Sequence, residues 1–216
     1  MTVRTDDGHP PWAVRDYVEG YLAEDDVLRD ARTRGGTLGC APIGPGGGAG
    51  IRFLAASIGA RAVVEVGTGA GVSGLWLLGG MADDGVLTSI DVDPEAQRAA
   101  RASFVAAGYA PGRLRLINGM GLEVLPRLTD GGYDLVFVDA LDTDYPRYLD
   151  EAVRLLRPGG IVALAGVLTA GATDPDATDP GSVALREVAR QMREDDRLVS
   201  VLLPLGDGLL AAVTTT

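Results

Sequence analysis

The chain has 216 residues, 46% of them hydrophobic, which is enough for one domain to bury a full core. Its formal net charge is −11, with no lysine and with arginines scattered rather than clustered, which argues against nucleic acid as a partner. No apolar run is long enough to span a membrane, and one cysteine (Cys40) and one histidine (His9) exclude an intrachain disulfide framework, a Cys/His zinc site and a histidine-dependent triad.

Met1–Gly8 is polar and acidic, unlike the basic and apolar regions of a signal peptide, so a cytoplasmic protein is expected. Residues 1–41 read as a helical appendage. A first helix, Trp12 to Ala23, carries Trp12, Val14, Tyr17, Val18, Tyr21 and Leu22 on one face. Asp25-Asp26 opens a second, short one. The Gly/Pro-rich stretch from Gly35 is read as loop, with a helix from Gly50 to Ile58.

Residues 42–216 read as one α/β domain. Strand-like runs at Ala62–Val66, Val86–Ile90, Leu114–Ile117, Leu135–Val138 and Ile161–Leu164 alternate with helical stretches. Those helices are Ser73–Met81, Pro94–Ala107, Gly121–Leu128, Tyr145–Leu155 and Ser182–Glu194, with Arg157-Pro158-Gly159-Gly160 as a turn. Such alternation builds parallel βαβ units. Leu198–Leu205 and Leu209–Thr215 are separated only by Gly206-Asp207-Gly208, which can join only antiparallel strands. The fold class is therefore α/β: a doubly wound, Rossmann-like, mostly parallel seven-stranded sheet with a C-terminal antiparallel hairpin. The repeat Ala172-Thr173-Asp174-Pro175, Ala177-Thr178-Asp179-Pro180 reads as an exposed, mobile surface loop.

The run Glu65-Val66-Gly67-Thr68-Gly69-Ala70-Gly71-Val72-Ser73-Gly74 carries a strand through glycines into a helix. Glycines let backbone approach a ligand, and a helix N-terminus offers free N–H groups to an anion. Ser73, in the first turn, has a hydroxyl to add. Gly69-x-Gly71-x-x-Gly74 matches the dinucleotide fingerprint, with Asp91 about 20 residues further on, so NAD is one candidate ligand. S-adenosylmethionine is favoured over it on two grounds. Glu65 would repel a pyrophosphate but attract the amino group of a methionine moiety, and the antiparallel hairpin marks the methyltransferase variant of this sheet. Asp91 can accept hydrogen bonds from both ribose hydroxyls, Asp93 caps the next helix, Val92 lines the adenine, and Gly119-Met120 covers its other face.

Four segments then carry a family resemblance: Glu65–Ser73, Ile90-Asp91-Val92-Asp93-Pro94, Val136-Phe137-Val138-Asp139-Ala140 and Leu155-Leu156-Arg157-Pro158-Gly159-Gly160. Together they resemble the small O-methyltransferases of the catechol and caffeoyl-CoA type, in particular those of actinobacteria including mycobacteria. The likeness runs from about Pro42 to the C-terminus. It implies a class I methyltransferase fold, S-adenosylmethionine as cofactor, a small hydroxylated acceptor and a homodimer. It also implies cofactor contacts at positions like Ile43, Glu65, Gly67, Thr68, Ser73, Asp91 and Val92, to which Gly69, Gly71, Gly119, Met120 and Asp139 are added from the reading above.

The catalytic half departs from the family pattern. Typical members hold Mg²⁺ or another divalent cation through an aspartate ending the fourth strand, matched by Asp139, and an Asp-Asn pair ending the fifth. Here that pair reads Ala165-Gly166, and the family's lysine base is replaced by Asp142. A complete metal site is not expected. Asp139 is the expected catalytic base or acceptor-orienting group, whereas Asp142 and Asp144 read as a solvated turn. The alternatives are a methyltransferase fold kept for binding S-adenosylmethionine or S-adenosylhomocysteine without catechol-type activity, and an NAD-dependent oxidoreductase. The absence of lysine leaves the latter without a Tyr-x-x-x-Lys pair.

Overall fold

The computed structural model describes residues 11–215. The expectations placed on Met1–Gly8 and His9, and on the Trp12 side chain, lie outside the described residues.

Two helices lead in, α1 (Pro11–Glu19) and α2 (Asp26–Thr37), followed by α3 (Pro45–Ser57). Asp25 caps α2, its Oδ1 accepting from Leu28 N at 2.8 Å. Both α2 and α3 extend into glycines that the sequence suggests are loop. For α3 the reason is packing. In α3 a Cβ on Gly48 would fall 2.3 Å from Trp76 Nε1, whereas one on Gly35 in α2 would make only ordinary contacts at 3.5–3.8 Å. In α3 close packing against Trp76 thus overrides the low helix propensity of glycine. Pro45 suits the first turn of α3. Glu19 ties the entry to the body, accepting from Gly46 N at 2.9 Å and Gly206 N at 3.0 Å.

The body then alternates: β1 (Ala62–Val66), α4 (Val72–Leu78), β2 (Val86–Asp91), α5 (Pro94–Ala106), β3 (Leu114–Asn118) and α6 (Gly121–Val124). It continues with β4 (Tyr133–Val138), α7 (Tyr145–Leu155), β5 (Leu156–Ala165), α8 (Ala170–Thr173), α9 (Pro180–Glu194), β6 (Leu198–Leu203) and β7 (Leu209–Thr214). The helix expected to reach Leu128 ends early, because Pro126 turns Leu125–Arg127 into a 3-10 turn. Arg157–Gly160, expected as a turn, belongs to β5, which shifts register against β4 between Tyr133 and Leu135. Asp134 holds this irregularity, binding Arg157 Nε at 2.6 Å and accepting from Arg61 N and Ala62 N.

The seven strands run in the order β3-β2-β1-β4-β5-β7-β6. β1 to β5 are parallel, and β7 is antiparallel to both its neighbours. Alternate strand residues feed two cores. Val63, Leu87, Leu135 and Phe137 face Ile51, Trp76 and Phe104; Val64, Val66, Val136 and Val138 face Tyr145, Leu149 and Val188. No helix among the described residues is long and apolar enough to cross a membrane. The repeated segment is mostly exposed, but it is not all loop: Ala172-Thr173 ends α8 and Pro180 opens α9, and Arg186 holds the segment at the carbonyls of Gly171, Asp174 and Ala177. The chain order reverses between β1 and β4, and the crevice at the carboxyl ends of those strands is where open α/β sheets bind ligands.

Candidate functional site

At the end of β1 the backbone turns through Gly67 (φ 95°), Gly69 (φ 48°) and Gly71 (φ 91°), all left-handed. Gly67 has a second constraint, since a Cβ there would lie 1.9 Å from the Asp139 carbonyl oxygen. Asp139 N in turn donates to Val66 O at 2.9 Å, so the ends of β1 and β4 are locked together. Gly71 opens α4, but the space beside it is filled by Ala100 and Phe104 rather than by the crevice.

Behind the turn lies a buried hydroxyl–carboxyl chain. Glu65 is 0% exposed; Ser73 Oγ donates to its Oε1 at 2.5 Å, Ser89 Oγ donates to its Oε2, and Ser89 and Thr68 hydroxyls meet at 2.7 Å. Burial pushes the Glu65 carboxyl up to about 7; the two serine bonds work against that, and Asp139 and Asp91 add to it. The Ser73 hydroxyl is therefore committed to Glu65, a correction to the expectation that it is a spare donor for a ligand.

Two cavities open in front of the turn. One, of about 200 Å³, lies against Cys40, Pro42, Thr68, Gly69 and Ser73. The other, of about 330 Å³, is mostly apolar, formed by Val66, Ile90, Val92, Met120, Leu122 and Leu141 with Tyr148. Gly67, Asp91 and Asp139 line both, so the two are lobes of one cleft. Asp91 is held at the divide: its Oδ2 accepts from Gly69 N at 2.8 Å and its Oδ1 from Asp93 N at 2.9 Å.

Asp139 is half-buried, and among the described residues no hydrogen bond or ion pair reaches its carboxylate or that of Asp142. Burial first, then the charges of Asp142 and Asp207, push Asp139 up to about 6. Asp142 is raised by burial and by Asp179. Asp144 lines the larger lobe and pairs with Arg147 at 3.4 Å, so it is more than the solvated turn expected.

Of the residues singled out in the sequence, Gly67, Thr68, Gly69, Ser73, Asp91, Val92, Gly119, Met120 and Asp139 line the cleft. Ile43, Glu65 and Gly71 do not. Ile43 stands against Gly47 and gives its carbonyl to Arg32 at 2.8 Å. Sequence reasoning missed Cys40, Pro42, Leu141 and Tyr148. Only Tyr148 had a usable signal, its three-residue spacing from Tyr145 on one face of α7.

The residues present do not fit the divalent cation implied by the resemblance. β5 ends on Ala165 and Gly166 follows, neither with a side-chain ligand. Among the described residues no group of three or more His, Cys, Asp or Glu is arranged to hold a metal.

The model of the O-methyltransferase family matches residues 27–214. A protein of Mycobacteroides abscessus named "Putative O-methyltransferase" is 53% identical over 207 residues, covering 95% of this chain and 96% of the relative. Among solved structures, a protein from Corynebacterium glutamicum aligns with TM-score 0.88 at 32% identity, over 95% of this chain and 97% of that one. TomG, an O-methyltransferase from Streptomyces achromogenes involved in tomaymycin synthesis and solved in complex with SAM, aligns with TM-score 0.83 at 29% identity, over 94% and 96% of the two chains.

Proposed function

This chain belongs to the O-methyltransferase family, and on that premise we propose that it methylates a small hydroxylated acceptor from S-adenosylmethionine, with Asp139 and no metal ion handling the acceptor. The observation that carries this reading is the two-lobed cleft at the sheet's switch point, divided by Gly67, Asp91 and Asp139. When bound, S-adenosylmethionine supplies a methyl group activated by a sulfonium.

The chain's own residues account for holding it. Asp91, fixed by two backbone N–H groups, presents acceptor oxygens suited to ribose hydroxyls. The Gly67–Gly69 turn brings backbone close to the methionine portion. Val92 and Met120, 64% and 55% exposed, give the larger lobe apolar walls for the adenine. Glu65 acts from behind the wall, fixing Ser73 and Ser89.

Asp139 stands where both lobes meet, with no partner for its carboxylate among the described residues. It orients the acceptor hydroxyl and takes its proton as the oxygen is methylated. A carboxylate raised to about 6 is a stronger base than an ordinary one, yet still ionised at neutral pH. The rest of the rate enhancement comes from alignment of the two reactants.

Thermal unfolding with S-adenosylhomocysteine, S-adenosylmethionine or NAD, each with Mg²⁺ or EDTA, tests the binding half of this reading. Ligand at 100 times its Kd stabilises the native state by about 2.7 kcal/mol. The expected result is a shift with the first two that EDTA leaves unchanged. A shift with NAD alone would return the protein to the oxidoreductase reading.

A further inference from the structure

Helix α2 precedes the first strand, yet it stands against the glycine turn. A Cβ built on Gly35 would meet Ala70 Cβ at 3.5 Å and Cys40 Cβ at 3.7 Å, and both residues line the smaller lobe. The neighbouring Arg34 reaches further. Its Nη2 donates to Ser103 Oγ, on α5, at 3.0 Å. Ser103 is fully buried, and its Oγ donates to Ala70 O at 2.9 Å. Arg34 is half-buried, and partial burial of a cation costs free energy that a carboxylate would offset. The chain has 30 acidic residues, yet among the described residues none pairs with Arg34, and no hydrogen bond reaches its buried Nε. Its bond to a neutral hydroxyl is what the side chain is placed to make.

A serine hydroxyl has one proton and two lone pairs. Ser103 can give its proton to Ala70 O at 2.9 Å, or to Ala99 O, four residues back on its own helix, at 3.0 Å. The Arg34 donor takes up a lone pair of the same oxygen, which constrains the rotation of the hydroxyl. Being charged, it also strengthens the bond that the hydroxyl makes in turn. Ala70 lies between Gly69 (φ 48°) and Gly71 (φ 91°), whose backbone no side chain confines. Asp91 pins Gly69 N at 2.8 Å, and Gly71 N donates to Thr68 O at 2.9 Å. Ser103 pins the carbonyl between them.

We propose that Arg34 is a positioning residue for the cofactor: acting through Ser103, it holds the Ala70 carbonyl, and with it the glycine turn, in the shape that walls the smaller lobe. The inference rests on the cofactor reading above, in which that turn takes the methionine portion. Arg34 lines neither lobe, so it acts through the turn. Without it the Ser103 proton is free to settle on Ala99 O and leave Ala70 O unpaired. The cofactor must then order a looser turn as it binds, which lowers affinity.

The test is calorimetric binding of S-adenosylhomocysteine, measured well below each protein's unfolding midpoint. Wild type is compared with Arg34→Met, Arg34→Lys, Ser103→Ala and the double variant Arg34→Met/Ser103→Ala. Arg29→Met, which loses an exposed arginine of α2 paired with Asp26, is the control and should bind as wild type does. Arg34→Met and Ser103→Ala should each weaken binding roughly tenfold. Arg34→Lys should stay within about threefold of wild type, since one ammonium donor can replace the one Nη2 bond, whereas a mere packing role for the guanidinium would not be rescued. The double variant should bind within about twofold of Ser103→Ala alone, because the two residues act in series. An Arg34→Met protein that binds within about twofold of wild type, a lysine variant as weak as the methionine one, or losses that multiply in the double variant would each overturn the inference. Should Ser103→Ala fail to fold, the two Arg34 variants decide the matter alone. Failure of wild type to bind S-adenosylhomocysteine at all would instead overturn the cofactor reading on which the inference stands.

Discussion

Glu65 shows how a residue can matter to a site without facing it. Its carboxyl is fully buried, both oxygens are engaged by serine hydroxyls, and its pKa rises from the ordinary 4.5 to about 7. Below the ordinary value the group is protonated in folded and unfolded chains alike. Between 4.5 and about 7 only the folded chain keeps the proton, so stability is lost as pH rises through that window. The loss is on the order of 3 kcal/mol. Asp139, raised to about 6, adds a loss of the same sign. The ligand-free protein should therefore unfold at lower temperature at pH 8 than at pH 5, and Glu65→Gln should flatten the profile. A wild-type unfolding temperature that rises over that range would contradict the assignment. The sequence marks Glu65 as an acid at a strand end. That it is walled off behind Ser73 and Ser89 depends on the register of β1 against β2, which pairs Glu65 with Ser89.

At the scale of elements, the glycine turn and the glycine-rich helix α3 carry opposite lessons. The turn was legible because strand, glycines and helix follow one another within ten residues, and its three left-handed glycines answer to that local pattern. The start of α3 was not legible. Gly46, Gly47 and Gly48 look like loop, and only the Trp76 ring packed on Gly48 explains why helix forms there. Two substitutions separate these roles. Gly67→Ala needs φ 95° and places a Cβ 1.9 Å from the Asp139 carbonyl, backbone that cannot yield. It should destabilise by roughly 2–4 kcal/mol and abolish S-adenosylhomocysteine binding. Gly48→Ala overpacks a side chain instead, and should cost about 1–3 kcal/mol while the remaining folded protein binds normally. Denaturant unfolding with binding isotherms checks both, and equal binding losses in the two would contradict the division.

The whole molecule explains which part of the function stayed hidden. The parallel sheet and its antiparallel hairpin follow from local periodicity, and Gly67, Asp91 and Asp139, singled out in the sequence, line both lobes of the cleft. The acidic surround of Asp139 is assembled from segments far apart in the chain: Asp142 and Asp207 act on Asp139, and Asp179 on Asp142, only in the fold. Arg15 pairs with Asp207 at 3.0 Å and Arg147 with Asp144, while among the described residues no cation pairs with Asp139 or Asp142. On a chain of net charge −11 with no lysine, this acidic surround of Asp139 should disfavour anionic acceptors. Among matched acceptors, a neutral or amine-bearing one should show a kcat/KM roughly tenfold or more above its carboxylate analogue, with the gap narrowing as salt is added. Equal turnover of the anionic acceptor would contradict the charge argument.

In the proposed reaction Asp139 handles the acceptor hydroxyl without a metal ion. The most direct measurement is transfer of a labelled methyl group from S-adenosylmethionine to a panel of small hydroxylated acceptors, in EDTA, by wild type and Asp139→Asn. Wild type should turn over at least one acceptor, with a rate that rises as pH passes through about 6. Asp139→Asn should keep S-adenosylhomocysteine affinity within a few-fold, lose roughly 100-fold or more in kcat and lose that pH limb. Turnover that appears only when Mg²⁺ is restored, or an Asp139→Asn protein with wild-type kcat, would contradict it.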